Sequence, residues 1–180
     1  MNNRSLRLIA GTAALAAAIA VPVALAQQVS VDINSITPAG VGDKIGTVTI
    51  SEVPGGVSFR VAVSKVPAGA HGFHVHEKGD CGPAMKDGKM QAGIAAGGHY
   101  DPGKTKTHKG PEGAGHKGDL PALEADAKGR IDRTVTAPRL KADEIRGRAL
   151  VIHEGGDTYS DHPESGGGKG RIACGVVPRG

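Results

Sequence analysis

Residues 56–63 read Gly-Val-Ser-Phe-Arg-Val-Ala-Val, and an apolar side chain recurs there at every second position. This period is typical of a β-strand that buries one face, because successive side chains point to opposite sides of a strand. Val29, Val31 and Ile33 alternate in the same way. Further apolar runs lie at 131–135, 150–152 and 172–177, and Gly or Pro turn signals lie at 54–56, 67–69, 128–129 and 146–147. Short strands joined by tight turns predict an all-β antiparallel sandwich or barrel.

The composition excludes a helical bundle, which needs Leu and Ala with few glycines. The chain has 180 residues, about one domain's length, with 29 Gly, no Trp and only 2% aromatic residues. Three stretches rich in Gly, Pro and Lys, at 77–93, 97–128 and 154–170, interrupt the strand pattern. Loops this long within a compact domain are usually functional, so we expect the site there.

Residues 1–26 have the features of a cleavable signal peptide. Arg4 and Arg7 precede an almost wholly apolar stretch at 8–25, and Ala24-Leu25-Ala26 fits a small-residue cleavage site. An uncleaved membrane anchor is the alternative reading of the same stretch. We expect export, a mature domain at 27–180, and residence in the periplasm.

The mature chain has no charge or apolar pattern that predicts binding to nucleic acid or membranes. Removing Arg4 and Arg7 leaves a formal net charge of 4 − 2 = +2, which is nearly balanced and does not predict nucleic-acid binding. No apolar run after residue 26 approaches the ~20 residues that span a bilayer. We therefore expect no membrane association once the signal peptide is removed.

The histidines are the chemically informative residues. Two of the eight form His74-Val75-His76, and residues at i and i+2 share one face of a strand. We expect Phe73 and Val75 to face the core, with the two imidazoles side by side and outward. Imidazole suits copper and zinc, so this pair predicts two ligands of one metal, against the alternative of a chance pattern on a solvated strand.

A second group of possible ligands lies in the 97–128 loop: His99, His108, His116 and Asp119. Three imidazoles and one carboxylate would complete a tetrahedral zinc site of the structural kind. His153 follows an apolar run at a predicted strand end. Each feature alone also fits scattered surface histidines, but together they exceed the ligands that one metal needs. The sequence therefore predicts two adjacent metal ions.

Cys81 and Cys174 are the only cysteines. In an exported chain a disulfide is the default, and two free thiols are the alternative. The bridge would join the region after the first histidine pair to the last predicted strand.

Four motifs carry a family resemblance. They are His71-Gly-Phe-His-Val-His-Glu-Lys-Gly-Asp-Cys81, Gly97-Gly-His-Tyr-Asp-Pro102, Gly115-His-Lys-Gly-Asp-Leu120 and Arg171-Ile-Ala-Cys-Gly-Val176. In this order they resemble copper–zinc superoxide dismutase, and the Gly-rich loop and signal peptide resemble its bacterial periplasmic branch. The resemblance implies a flattened Greek-key β-barrel of eight antiparallel strands.

The resemblance also implies residue roles. The copper ligands would be His74, His76, His99 and His153. The zinc ligands would be His99, His108, His116 and Asp119, with His99 bridging both metals. Asp157 would link His74 and His108 by hydrogen bonds, Arg171 would guide the anionic substrate, and Cys81 and Cys174 would form the internal disulfide. His71 is then expected to be structural and His162 solvated.

The implied activity is dismutation of superoxide to dioxygen and hydrogen peroxide by a copper redox cycle, with zinc structural, which would protect exported components. A non-catalytic, superoxide-dismutase-like copper-binding or copper-delivery protein is the main alternative. A secreted structural or adhesion sandwich that keeps only zinc is a second one. The sequence leaves open whether the protein is a monomer or a homodimer.

Overall fold

The computed structural model describes residues 28–180, so the predicted signal peptide lies outside the described residues. Eleven strands fall in this range: β1 Val29–Thr37, β2 Gly40–Val53, β3 Gly56–Val63, β4 Gly69–His71, β5 Phe73–His76, β6 Ala84–Lys86, β7 Lys89–Gln91, β8 Leu123–Ala125, β9 Ile131–Ala137, β10 Ala149–His153 and β11 Arg171–Val176. Short 3-10 helices lie at Ile94–Ala96, Ala142–Ile145 and Glu164–Gly167. Within residues 28–180, no helix has the length and hydropathy that crossing a membrane requires.

The strands form one antiparallel barrel. Seven of them pair in the order β5-β10-β11-β1-β2-β3-β9, and β4 pairs with β8. Since β4 and β5 are separated only by Gly72, they act as one interrupted strand, and β8 leads through a tight turn into β9. Counted this way the barrel has eight strands. The connections from β3 to β4 and from β9 to β10 join strands that are not neighbours, which confirms the Greek-key prediction.

The core lies between the inward faces of the sheet. Val57, Phe59, Val61 and Val63 of β3 are all buried, as their alternation predicts. The ring of Phe59 meets that of Phe73 edge to face, with centroids 5.8 Å apart and planes at 88°. This geometry is favourable for two aromatic rings, and it joins β3 to the strand that carries the first histidine pair.

Besides β8, which lies within the predicted 97–128 loop, two features differ from the sequence expectation. The 77–93 stretch is not wholly loop, because β6 and β7 form a hairpin within it. Its turn places Asp87 and Gly88 at φ 54° and 73°, the left-handed conformations that a two-residue hairpin turn needs. The second difference is β2, the longest strand, which the apolar pattern did not reveal.

A disulfide joins Cys81 to Cys174, with Cα atoms 5.7 Å apart, and confirms the predicted pairing. It attaches the loop after β5 to β11. Both residues lie in a small buried cluster with Ile36, Ala96 and Val151. The loop that leads away from the first histidines is therefore fastened to the barrel wall.

Candidate metal centre

His74 and His76 lie on β5, and Phe73 and Val75 between and beside them join the core as predicted. The two imidazoles lie on the other face of the strand, as predicted, but both are fully buried. The reason is that the 97–128 loop folds over this face: bridges pair His74 with Asp119 and His76 with His99. The pattern gave the correct face of the strand, but not what covers it.

His153 ends β10 at an irregularity in its pairing with β11. His71 supports this position, because its Nδ1 lies 2.6 Å from the backbone oxygen of His153 and its Nε2 lies 2.8 Å from that of Pro67. His71 is buried, and its ring forms hydrogen bonds with two backbone oxygens, as its predicted structural role requires. His162 is exposed, also as predicted.

The first ligand set brings together four buried histidines whose ring nitrogens lie within 4.8 Å of one another: His74, His76, His99 and His153. Hydrogen bonds decide which nitrogen each ring has free. Nδ1 of His76 donates to the backbone oxygen of Gly97 at 3.0 Å, which leaves Nε2. That Nε2 lies 3.4 Å from Nε2 of His153. Nε2 of His74 is taken by Asp157, which leaves Nδ1.

The second set converges on Oδ1 of Asp119. The Nδ1 atoms of His99, His108 and His116 lie 3.1, 3.0 and 3.4 Å from it. A tetrahedral zinc ion with bonds of about 2.0–2.1 Å has ligand–ligand edges of about 3.3 Å. These separations therefore have the spacing of a zinc shell.

Ligand atoms of His74, His99, His108 and Asp119 also lie within 4.8 Å of one another, so His74 competes with His116 for a place in the second set. The spacing around Asp119 favours His116, because its Nδ1 lies 3.4 Å from the carboxylate and is buried without a hydrogen bond. His74 stacks on His99, with ring centroids 3.9 Å apart. This stacking places His74 near both sets without making it a ligand of the tetrahedral zinc shell.

His99 belongs to both sets. Its Nδ1 faces Asp119 at 3.1 Å, and its ring lies 5.0 Å from that of His76 between centroids. The two ring nitrogens of an imidazole are separate ligand atoms. Once Nδ1 is directed to the second set, Nε2 is the atom available to the first.

Asp157 connects the two sets from behind. Its Oδ2 accepts a hydrogen bond from Nε2 of His74 at 2.7 Å, and its Oδ1 accepts one from Nε2 of His108 at 2.6 Å. The carboxylate is completely buried. These bonds fix the tautomer of each ring so that Nδ1 is directed at a metal position. The family resemblance implied this linking role for Asp157.

The protonation of the site reflects burial and the two carboxylates. Burial lowers the pKa of His74, His76 and His99; neighbouring imidazoles act in the same direction, and at His76 the charge of Arg171 does so more strongly than they do. Burial, followed by the charges of His99 and Arg171, lowers the pKa of His153 to about 3. Burial opposes the charged form of His108 as well, but the nearby Asp119 carboxylate and the hydrogen bond to Asp157 raise its pKa to about 9. Burial acts to raise the pKa of Asp119, but His108, His116 and His99 around its carboxylate hold that pKa well below its usual range.

Four buried nitrogens among the described residues have no hydrogen-bond partner: Nδ1 of His74, His108, His116 and His153. Unpaired buried polar atoms are costly and rare, and here all four belong to the two sets. A neutral imidazole with one nitrogen fixed by a hydrogen bond presents the other as a lone-pair ligand. The donor set therefore fits two metal ions, one held by imidazoles alone and one that includes a carboxylate.

A cleft of about 570 Å³ opens beside both sets, and His99, His116, His153 and Arg171 line it. Arg171 donates to the backbone oxygens of Gly93 and Gly97, the latter at 2.7 Å. Burial lowers its pKa to about 10, so it stays cationic at neutral pH. A larger cleft of about 630 Å³ near Arg130 holds none of the eight histidines, and the chemistry therefore lies in the smaller one.

Two supporting residues went unnoticed in the sequence. Asp161 accepts a hydrogen bond from the backbone N–H of His108 at 2.6 Å. Arg139 donates to four backbone oxygens of the loop that carries His108 and His116. Both act on backbone from distant parts of the chain. No local sequence signal marks such contacts.

Comparison with known proteins agrees with this geometry. The family model described as copper/zinc superoxide dismutase (SODC) matches residues 44–177.

The chain belongs to the copper/zinc superoxide dismutase family.

Bacterial relatives within this family are similar over most of their length. The superoxide dismutase [Cu-Zn] of Brucella abortus is 54% identical over 156 residues, which cover 86% of this chain and 90% of the relative. The Escherichia coli K12 protein of the same name is 52% identical with the same coverage. The family assignment confirms the resemblance read from the four sequence motifs, and with it copper and zinc as the cofactors.

Solved structures give the same result for the fold. The Cu/Zn superoxide dismutase from Brucella abortus has a TM-score of 0.82 at 54% identity, covering 84% of this chain and 99% of that one. A monomeric copper, zinc superoxide dismutase from Salmonella enterica has a TM-score of 0.76 at 51% identity, with the same coverage. A superoxide-dismutase-like protein from Bacillus subtilis is more distant, with a TM-score of 0.63 at 30% identity.

Proposed function

We propose that this protein dismutates superoxide to dioxygen and hydrogen peroxide. The observation that carries the proposal is His99, which two buried ligand sets share beside an open cleft. One set has four imidazoles, which suit copper, and the other has the mixed shell of imidazoles and a carboxylate that suits zinc. A cation, Arg171, lines the same cleft, as a site for a small anion requires.

The ligand assignment follows from the free nitrogens of His74, His76, His108 and His116, and for His153 from its Nε2, which faces Nε2 of His76 at 3.4 Å. Copper would be held by Nδ1 of His74 and Nε2 of His76, His99 and His153. Zinc would be held by Nδ1 of His99, His108 and His116 with Oδ1 of Asp119. When bound, copper supplies one-electron redox chemistry, and zinc supplies charge without redox chemistry.

The protein's own groups supply position and protons. Asp119 engages Nδ1 of His99 at 3.1 Å, so Nε2 is the atom at which His99 would hold or release a proton. Asp157 keeps the rings of His74 and His108 in one tautomer. Reducing superoxide to peroxide consumes protons, so a proton held at Nε2 of His99 serves the reaction.

Arg171 would attract and orient the substrate. Two backbone oxygens hold its side chain, and no ion pair among the described residues joins it to a carboxylate. Its charge is therefore not neutralised by a partner. Arginine cannot lose its proton at working pH and presents a rigid fork of donors. A fixed cation beside the first ligand set raises the local concentration of a singly charged anion.

Residues 1–26 would direct export and be removed, leaving a single domain at 27–180 in the periplasm. The disulfide supports an oxidising compartment, and the bacterial relatives support the same branch of the family. Superoxide is the expected partner, with no nucleic acid and no membrane. A monomer and a homodimer both remain compatible with the sequence.

Metal analysis and an activity assay on the purified mature protein test the proposal together. We expect one copper and one zinc per chain and rapid dismutation. A protein that binds copper without activity would favour the copper-delivery alternative. Zinc alone, with no copper, would favour the structural sandwich.

A further inference from the structure

Arg139 lies just after β9 and reaches across to a loop that is remote in sequence. Its Nε donates to the backbone oxygen of Pro111 at 2.9 Å, and Nη1 to that of Gly115 at 3.1 Å. Its Nη2 donates to the oxygens of Gly110 at 3.1 Å and His116 at 2.6 Å. One guanidinium thus binds four carbonyl groups of a single loop segment.

This segment has no regular secondary structure, since no strand or helix lies between the helix at Ile94–Ala96 and β8. Its backbone groups therefore need partners from elsewhere, because buried carbonyl groups without partners are costly. Among the described ion pairs Arg139 has no carboxylate partner. Its guanidinium therefore interacts with the four carbonyl groups alone. A planar fork with five N–H donors can serve several acceptors at once, which a lysine ammonium cannot do in the same geometry.

The carbonyl groups that Arg139 holds belong to peptides next to the second ligand set. Gly110 offers its carbonyl oxygen to Arg139 and its N–H to Oδ2 of Asp119 at 3.3 Å. His116 offers its carbonyl oxygen to Arg139 at 2.6 Å while its Nδ1 lies 3.4 Å from Oδ1 of Asp119. Arg139 therefore restrains both sides of the Asp119 carboxylate.

His116 is the ligand that most needs this support. It is the most exposed of the three imidazoles around Asp119, and its separation from Oδ1 is the longest. His108 has Asp157 on its ring and Asp161 on its backbone, whereas the ring of His116 has no hydrogen bond to a neighbour among the described residues. Its position therefore depends on its backbone.

We propose that Arg139 is a positioning residue that holds His116 in the zinc shell and so sets the rate at which zinc leaves. The inference rests on the zinc assignment made under Proposed function. It concerns residues that touch neither metal nor substrate. Loss of such outer partners typically costs ~10–100-fold in metal affinity.

The test compares Arg139→Ala and Arg139→Lys with Ile131→Val, a control at the opposite end of β9 that thins the buried core and leaves the loop untouched. Zinc dissociation into excess chelator is measured for each protein. We expect zinc to leave both Arg139 variants at least ~10-fold faster than wild type. Ile131→Val should stay close to wild type. Lysine should not rescue, because it keeps the charge but lacks the fork.

Three further readouts separate positioning from general destabilisation. Added ethylguanidinium, but not ethylammonium, should slow zinc loss from Arg139→Ala. Cobalt(II) placed in the zinc site should give a weaker tetrahedral spectrum in Arg139→Ala, because His116 is no longer fixed. Hydrogen exchange of metal-free Arg139→Ala should rise at residues 107–117 above that of metal-free wild type.

Zinc retention equal to that of Ile131→Val, with an unchanged cobalt spectrum, would overturn the role of Arg139. If Arg139→Ala does not fold, Arg139→Lys gives the same comparison. A wild-type protein that takes up no zinc would overturn the zinc assignment itself, and this role with it. If the wild type binds zinc and Arg139→Ala holds it equally tightly, only the role of Arg139 is refuted.

Discussion

Nε2 of His108 donates to Oδ1 of Asp157 across 2.6 Å, although the two residues are 49 positions apart in the chain. The other oxygen of the same carboxylate accepts from His74 at 2.7 Å. One buried side chain thus orients a ligand of each set.

Replacing Asp157 by Ala should weaken zinc retention by roughly 10–100-fold, although Asp157 touches no metal. The ring of His108 would lose the partner that fixes its tautomer, and copper retention should fall through His74 for the same reason. Competition titration against a chelator measures both affinities. Asp132→Ala, which removes an exposed carboxylate of β9, is the control. Zinc affinity equal to that of the control would contradict the orienting role.

Strand periodicity predicted most of the barrel because its core faces are regular. β2 was missed, since Val41 is exposed and residues 41–44 show no alternation, so only Ile45, Val48 and Ile50 are buried. Gly46 also interrupts the pattern. A side chain there would lie 2.2 Å from the backbone oxygen of Ala62 in β3, so close strand packing requires a glycine. This requirement is tertiary and leaves no apolar period to read.

The ligands were predicted from residue type and motif, but their burial and support were not. His74 and His76 look solvated on an isolated strand, and only the folded 97–128 loop buries them. Arg139 follows Pro138 in an ordinary turn sequence, and its four acceptors lie 23 to 29 positions away. Contacts between a side chain and distant backbone carry no residue-type signature at either end.

His153→Ala should abolish dismutation while zinc stays bound. His153 contributes Nε2 to the first set only and lies away from Asp119, so the second set keeps all its donors. Copper and zinc contents are measured alongside the activity. His162→Ala, at an exposed histidine, should match wild type. Full activity in His153→Ala would refute the copper assignment.

Cys174→Ser should lower the free energy of unfolding by about 2–5 kcal/mol, the usual cost of losing a native bridge. The bridge closes a loop of 93 positions, and long loops gain most in the chain-entropy account of disulfides. Denaturant unfolding of the metal-free proteins measures the difference. Two titratable thiols in unfolded, unreduced wild type would show that the bridge does not form in solution.

Metal-free protein should be most stable near pH 6.5. The pKa values of His74, His76, His99 and His153 are lowered by burial, so below 6.5 the unfolded chain binds more protons and stability falls on acidification. For His153 this loss extends down to about pH 3.

His108 acts in the opposite direction. Its folded pKa is raised to about 9, so the stability it contributes is fully present below 6.5 and is lost as the pH rises towards 9. Thermal unfolding of chelator-treated protein between pH 4 and 9 follows both effects. A melting temperature that is higher at pH 5 than at pH 6.5 would contradict the buried, neutral histidines.

Arg171→Ile should lower the second-order rate of dismutation by roughly tenfold with copper and zinc contents unchanged. A pair of unit charges ~5 Å apart at an effective dielectric of ~20 interacts by ~3 kcal/mol, which is an upper figure for a cleft open to water. About 1.4 kcal/mol of that interaction is enough for a tenfold change.

Ionic strength separates this steering by charge from a packing defect. The wild-type rate should fall as salt is added, because salt screens the attraction between Arg171 and an approaching anion. The slope should be flatter in Arg171→Ile. Arg171→Lys is the matched variant, because it keeps the charge but cannot hold the backbone oxygens of Gly93 and Gly97 with the same fork. It should therefore keep the wild-type salt slope and recover only part of the wild-type rate. Pulse radiolysis at matched metal content measures all three. Equal rates and equal slopes in wild type and Arg171→Ile would remove Arg171 from the mechanism.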